Sequence, residues 1–276
     1  MSNDQNGVSS RQLTRPLGCL ARVLAASLIA FLAAQLPADA GEQIRVLATG
    51  VFATSLQSLA GPFEKANGTQ IQVSIANAGE VASRVVAGEA ADLVMSSSAG
   101  VKTLAKQGAL LSNEVVIGKM RLGVAVPSGA AMQDLHSNLA SAETFRKLLL
   151  SASTVAYIDP NGGGTSGPFF EKMFTSLGVA DAVHAKAVLC RSGAEIVGAV
   201  ASGRAAIGMT QVSEIIGGGG VAFAGYVPDT LNLTTVYSAS IATRSANPKA
   251  ASAFLEFVTG PIGSGQLRRA GWDIER

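Results

Sequence analysis

The run Gly162-Gly163-Gly164-Thr165-Ser166 carries the clearest chemical signal in this chain. It follows an apolar stretch at 154–158 that reads as a buried strand. It precedes Phe169, Phe170, Met173, Phe174 and Leu177, which fall at helical spacing. Three glycines let the backbone approach a bound group closely. Thr165 or Ser166 can cap the helix, and Pro168 suits its first turn. A helix start presents unpaired N–H groups and the positive end of a dipole, so this turn can hold an anionic group. A strand-to-helix turn with nothing bound has the same local pattern.

The elements that must position this turn alternate along the chain. Strands read at 44–48, 71–75, 92–95, 120–126, 154–158, 185–189, 205–209, 221–226 and 235–241. Leu56, Leu59, Ala60 and Phe63 mark the first helix, with Thr54 or Ser55 as its cap and Pro62 expected to kink or shorten it. Further helical faces run through Val81, Ala82, Val85 and Val86, through 101–106 and 142–150, through Ile196, Val197 and Val200, through Ala250, Phe254, Phe257 and Val258, and over 264–269. Such alternation predicts an α/β fold with mostly parallel sheets and a ligand beyond the carboxyl ends of the strands. Small polar loops fall there: Thr49-Gly50, Ala76-Asn77-Ala78-Gly79, Ser96-Ser97-Ser98, the glycine turn and Thr210-Gln211. Three of them lead into helices and would converge on one crevice.

The 276 residues are 48% hydrophobic and 14% charged, enough for a substantial core and against disorder. A net charge of +2 argues against nucleic-acid binding through a basic face, so an anion site has to be local. Arg11, Arg15 and Arg22, an apolar run at 23–36 and Ala38-Asp39-Ala40 before Gly41 read as a cleavable secretory signal peptide over 1–40. Cys19 leaves with it. Cys190 then stands alone, which rules out an intrachain disulfide and reads as a core cysteine at a strand end.

Ala53-Thr54-Ser55-Leu56, Pro62-Phe63-Glu64 and Ala90-Ala91-Asp92-Leu93 resemble the first lobe of the molybdate-type periplasmic solute-binding proteins. The stretch 203–208, then Thr210-Gln211-Val212-Ser213-Glu214, Gly225-Tyr226-Val227-Pro228 and Gly260-Pro261, resembles the remainder of that family. The resemblance implies a two-lobed type II periplasmic-binding fold with a two-strand hinge, crossing near 122–126 and 235–240. It implies lobe 1 at 41–122 with 238–276 and lobe 2 at 123–237. It also implies a periplasmic monomer that delivers an anionic solute to the permease of an ABC importer and uses no cofactor or metal.

In the family an oxyanion is held by hydroxyls and backbone amides. Carried over by position, the expected contacts are Ser55, Asn77, Ser166, Ile196 through its backbone, and Gln211; the glycine turn itself adds Thr165. Asn77-Ala78-Gly79-Glu80 replaces a serine-rich loop, and Glu80 would repel an oxyanion if turned inward. Gln211 replaces a ligand-binding tyrosine. Both departures point away from molybdate toward a larger anion, and Arg191 could pair with a carboxylate. Glu214 reads as a structural hydrogen-bonding residue.

Enzyme signatures are sparse. The glycine turn lacks the Gly-Lys-Ser/Thr ending of a phosphate-binding loop and the dinucleotide fingerprint. His136 and His184 have no partners at catalytic or metal-ligand spacing. The residues favour a binding protein. The alternative is an aconitate isomerase-like enzyme, a type that resembles the same family and needs only proton abstraction and return, with Glu80 or Glu214 as base.

Overall fold

The computed structural model describes residues 42–130 and 139–274. The expected signal peptide and His136 lie outside them. Strands β1 (Gln43–Thr49), β2 (Gln70–Ala76), β3 (Leu93–Ser97), β4 (Val115–Pro127), β5 (Val155–Ile158), β6 (Ala187–Cys190), β7 (Ile207–Gln211), β8 (Val221–Tyr226) and β9 (Thr234–Ile241) are joined in the order β2-β1-β3-β9-β4-β7-β5-β6, with β8 also on β4. β1 pairs in parallel with β2 and β3, and β5 with β6 and β7. β3 and β7 are buried almost throughout, as strands covered by helices on both faces must be.

Two halves meet along β4. Between Val115 and Arg121 it runs antiparallel to β9; from Leu122 onward it pairs with β7 and β8. The partner change at Arg121 and Leu122 is the first passage between the halves. β9 pairs only with β3 and β4, so the return passage falls at 227–233, between β8 and β9, rather than at 235–240. Arg121 sits beside both passages. Its guanidinium lies 3.6 Å from the Tyr226 ring centroid and 2.7 Å from the Asp229 carboxylate.

The helix Ala53–Asn67 buries Leu56, Leu59 and Phe63. Pro62 lies inside it and does not end it; the buried apolar face outweighs one lost backbone bond. Neither Thr54 nor Ser55 caps this helix, whose N-cap is Phe52 with no side-chain bond. The chain end returns to this first half through the helices Pro248–Thr259 and Pro261–Arg269. Phe254 and Phe257 meet Phe63 at centroid distances of 5.0 and 5.4 Å. Asp92 anchors the return: its buried carboxylate accepts from Arg45 N–H, the Ser245 hydroxyl and the N–H groups of Ala246 and Asn247. Burial alone would raise its pKa, but these donors hold it below the ordinary value.

Tyr157, Phe170 and Phe174 fill the core of the second half. Cys190 is buried at the end of β6 with its thiol on Val188 O. Thr210-Gln211, read as a loop, ends β7, and a short helix Val212–Ile216 follows directly. Val212 belongs to the first half's core cluster, and the Ser213 hydroxyl donates to Val51 O at 2.8 Å, so this helix ties the halves together. None of its five residues stands out by period, since one helical turn is too short to show one.

Candidate functional site

A cavity of about 660 Å³ lies between the two halves. Chain segments that lead into helices line it: Thr49-Gly50 at the end of β1, Asn77 after β2, Gly164 to Ser166 after β5, Ser192-Gly193 after β6, and Gln211 at the end of β7. These are the carboxyl ends of the parallel strands, where α/β sheets place ligands. Ser96, Ser97 and Ser98 are not on the wall. Ser97 caps the next helix, and Ser98 donates to Glu114.

The expected contacts divide. Thr165, Ser166, Gln211, Asn77 and Arg191 all line the cavity. Ser55 does not. It is 1% exposed, and its hydroxyl accepts from the Trp272 indole N–H at 3.1 Å. In a helix one residue is a rotation of about 100°. Thr54 and Gln57, three apart, face the cavity, and Ser55 turns inward with the apolar face. Ile196 is also off the wall. It is fully buried, and its N–H donates to Ser192 O inside the helix Gly193–Ala201. That helix lines the cavity with its start, Gly193 and Ala194.

Asn77 is on the wall, but its amide is engaged at both ends. Oδ1 accepts from Glu80 N–H at 2.9 Å, which caps the helix Ala78–Val86. Nδ2 donates across the cavity mouth to Gly162 O at 3.1 Å. Gly79 N–H donates to Gly163 O at 3.0 Å beside it. A Cβ on Gly79 would meet Gly163 Cα and O at 3.2 Å, and Gly163 has φ 77°, so both glycines serve this clasp. Neither Thr165 nor Ser166 caps its helix through a side chain. Thr165 hydrogen-bonds with the phenol of Tyr237, and Ser166 is buried at the wall.

Two polar atoms on the lining residues have no partner among the described residues: Thr49 Oγ1 and Gln211 Oε1. Their residues are only 6% and 5% exposed. A buried polar group without a hydrogen bond costs about 1–3 kcal/mol, so such atoms call for an explanation.

Charge on the wall is mixed. Arg191 is the one basic side chain among the described lining residues, against Glu80, Glu195 and Glu214. Glu80 is exposed and lies 3.8 Å from Arg84, on the rim. Glu195 accepts from Arg191 N–H at 2.8 Å. Glu214 is different: it is partly buried, with its carboxyl accepting from the Thr210 hydroxyl and from Gln211 N–H. A Cβ on either Gly50 or Gly193 would overlap that carboxyl, so it sits where the two backbones leave room for it. Burial raises the Glu214 pKa, and the two donors only partly oppose that. The folded chain therefore binds more protons than the unfolded one. This contribution to stability is present below the unfolded carboxyl value of about 4.3 and is lost as pH rises through the raised one.

Tyr237 is 2% exposed and lies on the cavity wall, where burial and then the Glu214 charge push its phenol pKa upward. Phe52 and Trp272 pack edge to face on its ring, at 5.7 and 5.5 Å. The sequence reading missed Tyr237 as a site residue because it sits in a strand whose alternation reads only as core. Thr49 had a signal, a polar residue before glycine at a strand end. His184 is away from the site and lies 2.8 Å from Glu171. Among the described residues, no group of three or more His, Cys, Asp or Glu side chains is placed to hold a metal ion.

Comparison with known proteins agrees with this architecture. The aconitate isomerase of a Pseudomonas species is 28% identical over 236 residues, 83% of this chain and 86% of its own length. The periplasmic molybdate-binding protein of Azotobacter vinelandii superposes with a TM-score of 0.70 at 22% identity, covering 84% of this chain and 100% of that one. The sulfate-binding protein of Mycobacterium tuberculosis gives 0.66 at 16% identity, with 84% and 86% covered. At these identities the structural likeness establishes the fold, the α/β type II periplasmic-binding fold with two lobes and a two-strand hinge. The model of the bacterial extracellular solute-binding proteins matches residues 44–273, and it is to this family that the chain belongs.

Proposed function

We propose that this protein captures a small organic carboxylate between its two halves in the periplasm and hands it to the permease of an ABC importer. The halves act as the two lobes, expected at 41–122 with 238–276 and at 123–237 but with the return moved to 227–233, and the passages beside Arg121 are their hinge. The observation that carries this reading is the pair of unpartnered atoms, Thr49 Oγ1 and Gln211 Oε1, buried on residues that line the cavity, where a side-chain rotation can turn them to a ligand. The Thr49 hydroxyl can donate to a ligand oxygen. Gln211 Oε1 can only accept, so it asks for a donor on the ligand. An organic acid can carry a hydroxyl or a protonated carboxyl; a fully ionised tetrahedral oxyanion has no donor. The volume of about 660 Å³ also exceeds what a single tetrahedral ion fills. Arg191 at the mouth suits a second carboxylate.

A thermal-shift screen of the mature chain against di- and tricarboxylates, molybdate, tungstate and sulfate tests this. The expected result is a rise in Tm with at least one carboxylate and a smaller rise or none with the inorganic ions. A ligand at about 100 times its Kd adds about 2.7 kcal/mol, roughly 5–10 °C at this size. Shifts confined to molybdate or tungstate would sink the carboxylate reading.

A second reading is an isomerase acting on a tricarboxylate. It is favoured by Glu214, a carboxyl on the wall able to take and return a proton, and by the likeness to aconitate isomerase. Mixing the protein with cis- or trans-aconitate would then change the ultraviolet absorbance as one isomer converts. A flat trace at high protein concentration removes this reading and leaves the receptor.

A further inference from the structure

We propose that Glu214 holds a proton inside the cavity and offers it as a hydrogen bond to a carboxylate of the captured anion, so that the anion is bound together with one proton. The proposal rests on the carboxylate reading above and adds the residue and the coupling.

The geometry is specific. Glu214 follows β7 in the short helix that joins the halves, and its carboxyl lies against backbone from each of them, Gly50 from the first and Gly193 from the second. Both positions need glycine for the carboxyl to stay there. One oxygen accepts from the Thr210 hydroxyl at 2.5 Å, and Gln211 N–H is a second donor. Those two bonds hold the group on the wall and leave the carboxyl able to carry a proton toward the cavity.

Burial, rather than a neighbouring charge, favours the neutral form. Glu214 is the only ionisable residue of its own helix, and β7 contributes Thr210 and Gln211, both neutral. β9 brings the Tyr237 phenol, which keeps its proton. The segment before the helix Gly193–Ala201 brings Arg191, and that helix brings Glu195, which accepts from Arg191 N–H. From the first half comes Glu80, exposed and near Arg84. Burial has the largest influence on Glu214, and no cation among the described residues counters it. A bound carboxylate beside an ionised Glu214 would meet like charge in a water-poor site, whereas a shared proton turns the pair into a short charge-assisted hydrogen bond.

The probe is trans-aconitate, titrated calorimetrically into the wild-type chain and into Glu214→Gln between about pH 5.5 and about pH 8.5. Glutamine keeps the shape and a donor but cannot titrate. The wild type should lose affinity about tenfold per pH unit above the Glu214 pKa, and the variant should hold a flat profile. The wild type alone, in two buffers of different ionisation enthalpy, should take up close to one proton per ligand at the alkaline end. This second measurement stands even if the variant folds poorly. Parallel profiles, or no proton uptake at any pH, would overturn the role of Glu214 while leaving the carboxylate reading in place. No heat with trans-aconitate, citrate or succinate at any pH would overturn that reading and this inference with it.

Discussion

Thr49→Val together with Gln211→Leu is expected to weaken binding of the carboxylate about 100-fold or more and to leave the unliganded protein as stable as before or more so. The two effects have opposite signs because of where the atoms lie. Thr49 Oγ1 and Gln211 Oε1 are buried and have no partner among the described residues. In the unliganded chain they cost free energy, and apolar side chains of similar size remove that cost. In the complex each would make a hydrogen bond to the ligand. Losing the Thr49 bond to a carboxylate costs about 1.5–3 kcal/mol and losing the neutral Gln211 bond about 0.5–1.5 kcal/mol, together roughly thirtyfold to a thousandfold. Calorimetry with the best carboxylate of the screen reads the first effect, and a melting curve without ligand reads the second. Unchanged affinity would mean that the ligand does not reach these atoms. Loss of binding with a fall in Tm would assign them to folding.

Trp272→Ala should lower stability by about 4 kcal/mol, a typical cost for emptying a buried aromatic site, which corresponds to roughly 8–16 °C in Tm at this chain length. Trp272 is 3% exposed, stacks on Phe52 at 4.8 Å and meets the Tyr237 ring at 5.5 Å. Its indole N–H also supplies the bond that satisfies Ser55. Alanine leaves a cavity and an orphaned hydroxyl. Trp272→Phe keeps the stack and loses the bond, so its cost should be nearer 1 kcal/mol. Circular-dichroism melts of both variants check the ranking. Because Tyr237 stands on this cluster and lines the cavity, the alanine variant should also bind ligand more weakly at temperatures where it is still folded. Equal Tm values for the two variants would mean that the ring contacts carry little of the stability.

Much of the site's framework was legible along the chain because it depends on short-range rules. Apolar period two and period three to four marked the strands and helices. Small polar segments at strand ends marked where the crevice would be, and four of the five cavity-lining segments were named that way. The turn at Gly162 to Ser166 does line the cavity, and its glycines serve both the wall and the clasp with Asn77 and Gly79.

The residues placed differently from expectation share one cause. Ser55 and Thr54 are adjacent, and nothing local tells which of them faces the crevice. That depends on the helix's rotation, set by Leu56, Leu59 and Phe63 packing onto a core that Trp272 completes from 217 residues away. Ile196 lies off the wall with its N–H used at the start of its own helix. Asn77 kept its place on the wall but spends its amide on a cap and a clasp. Glu214 read as a structural hydrogen-bonding residue or a base, and Tyr237 gave no signal of its own, because the character of both comes from what surrounds them. By itself, then, the sequence determined the α/β alternation, the polar strand ends and the resemblance to the solute-binding family. Only the tertiary structure decided which side chains meet in the cavity, which polar atoms lack partners and which carboxyl is poised to hold a proton. Burial and orientation are properties of contacts between distant segments, and no periodicity within one segment records them.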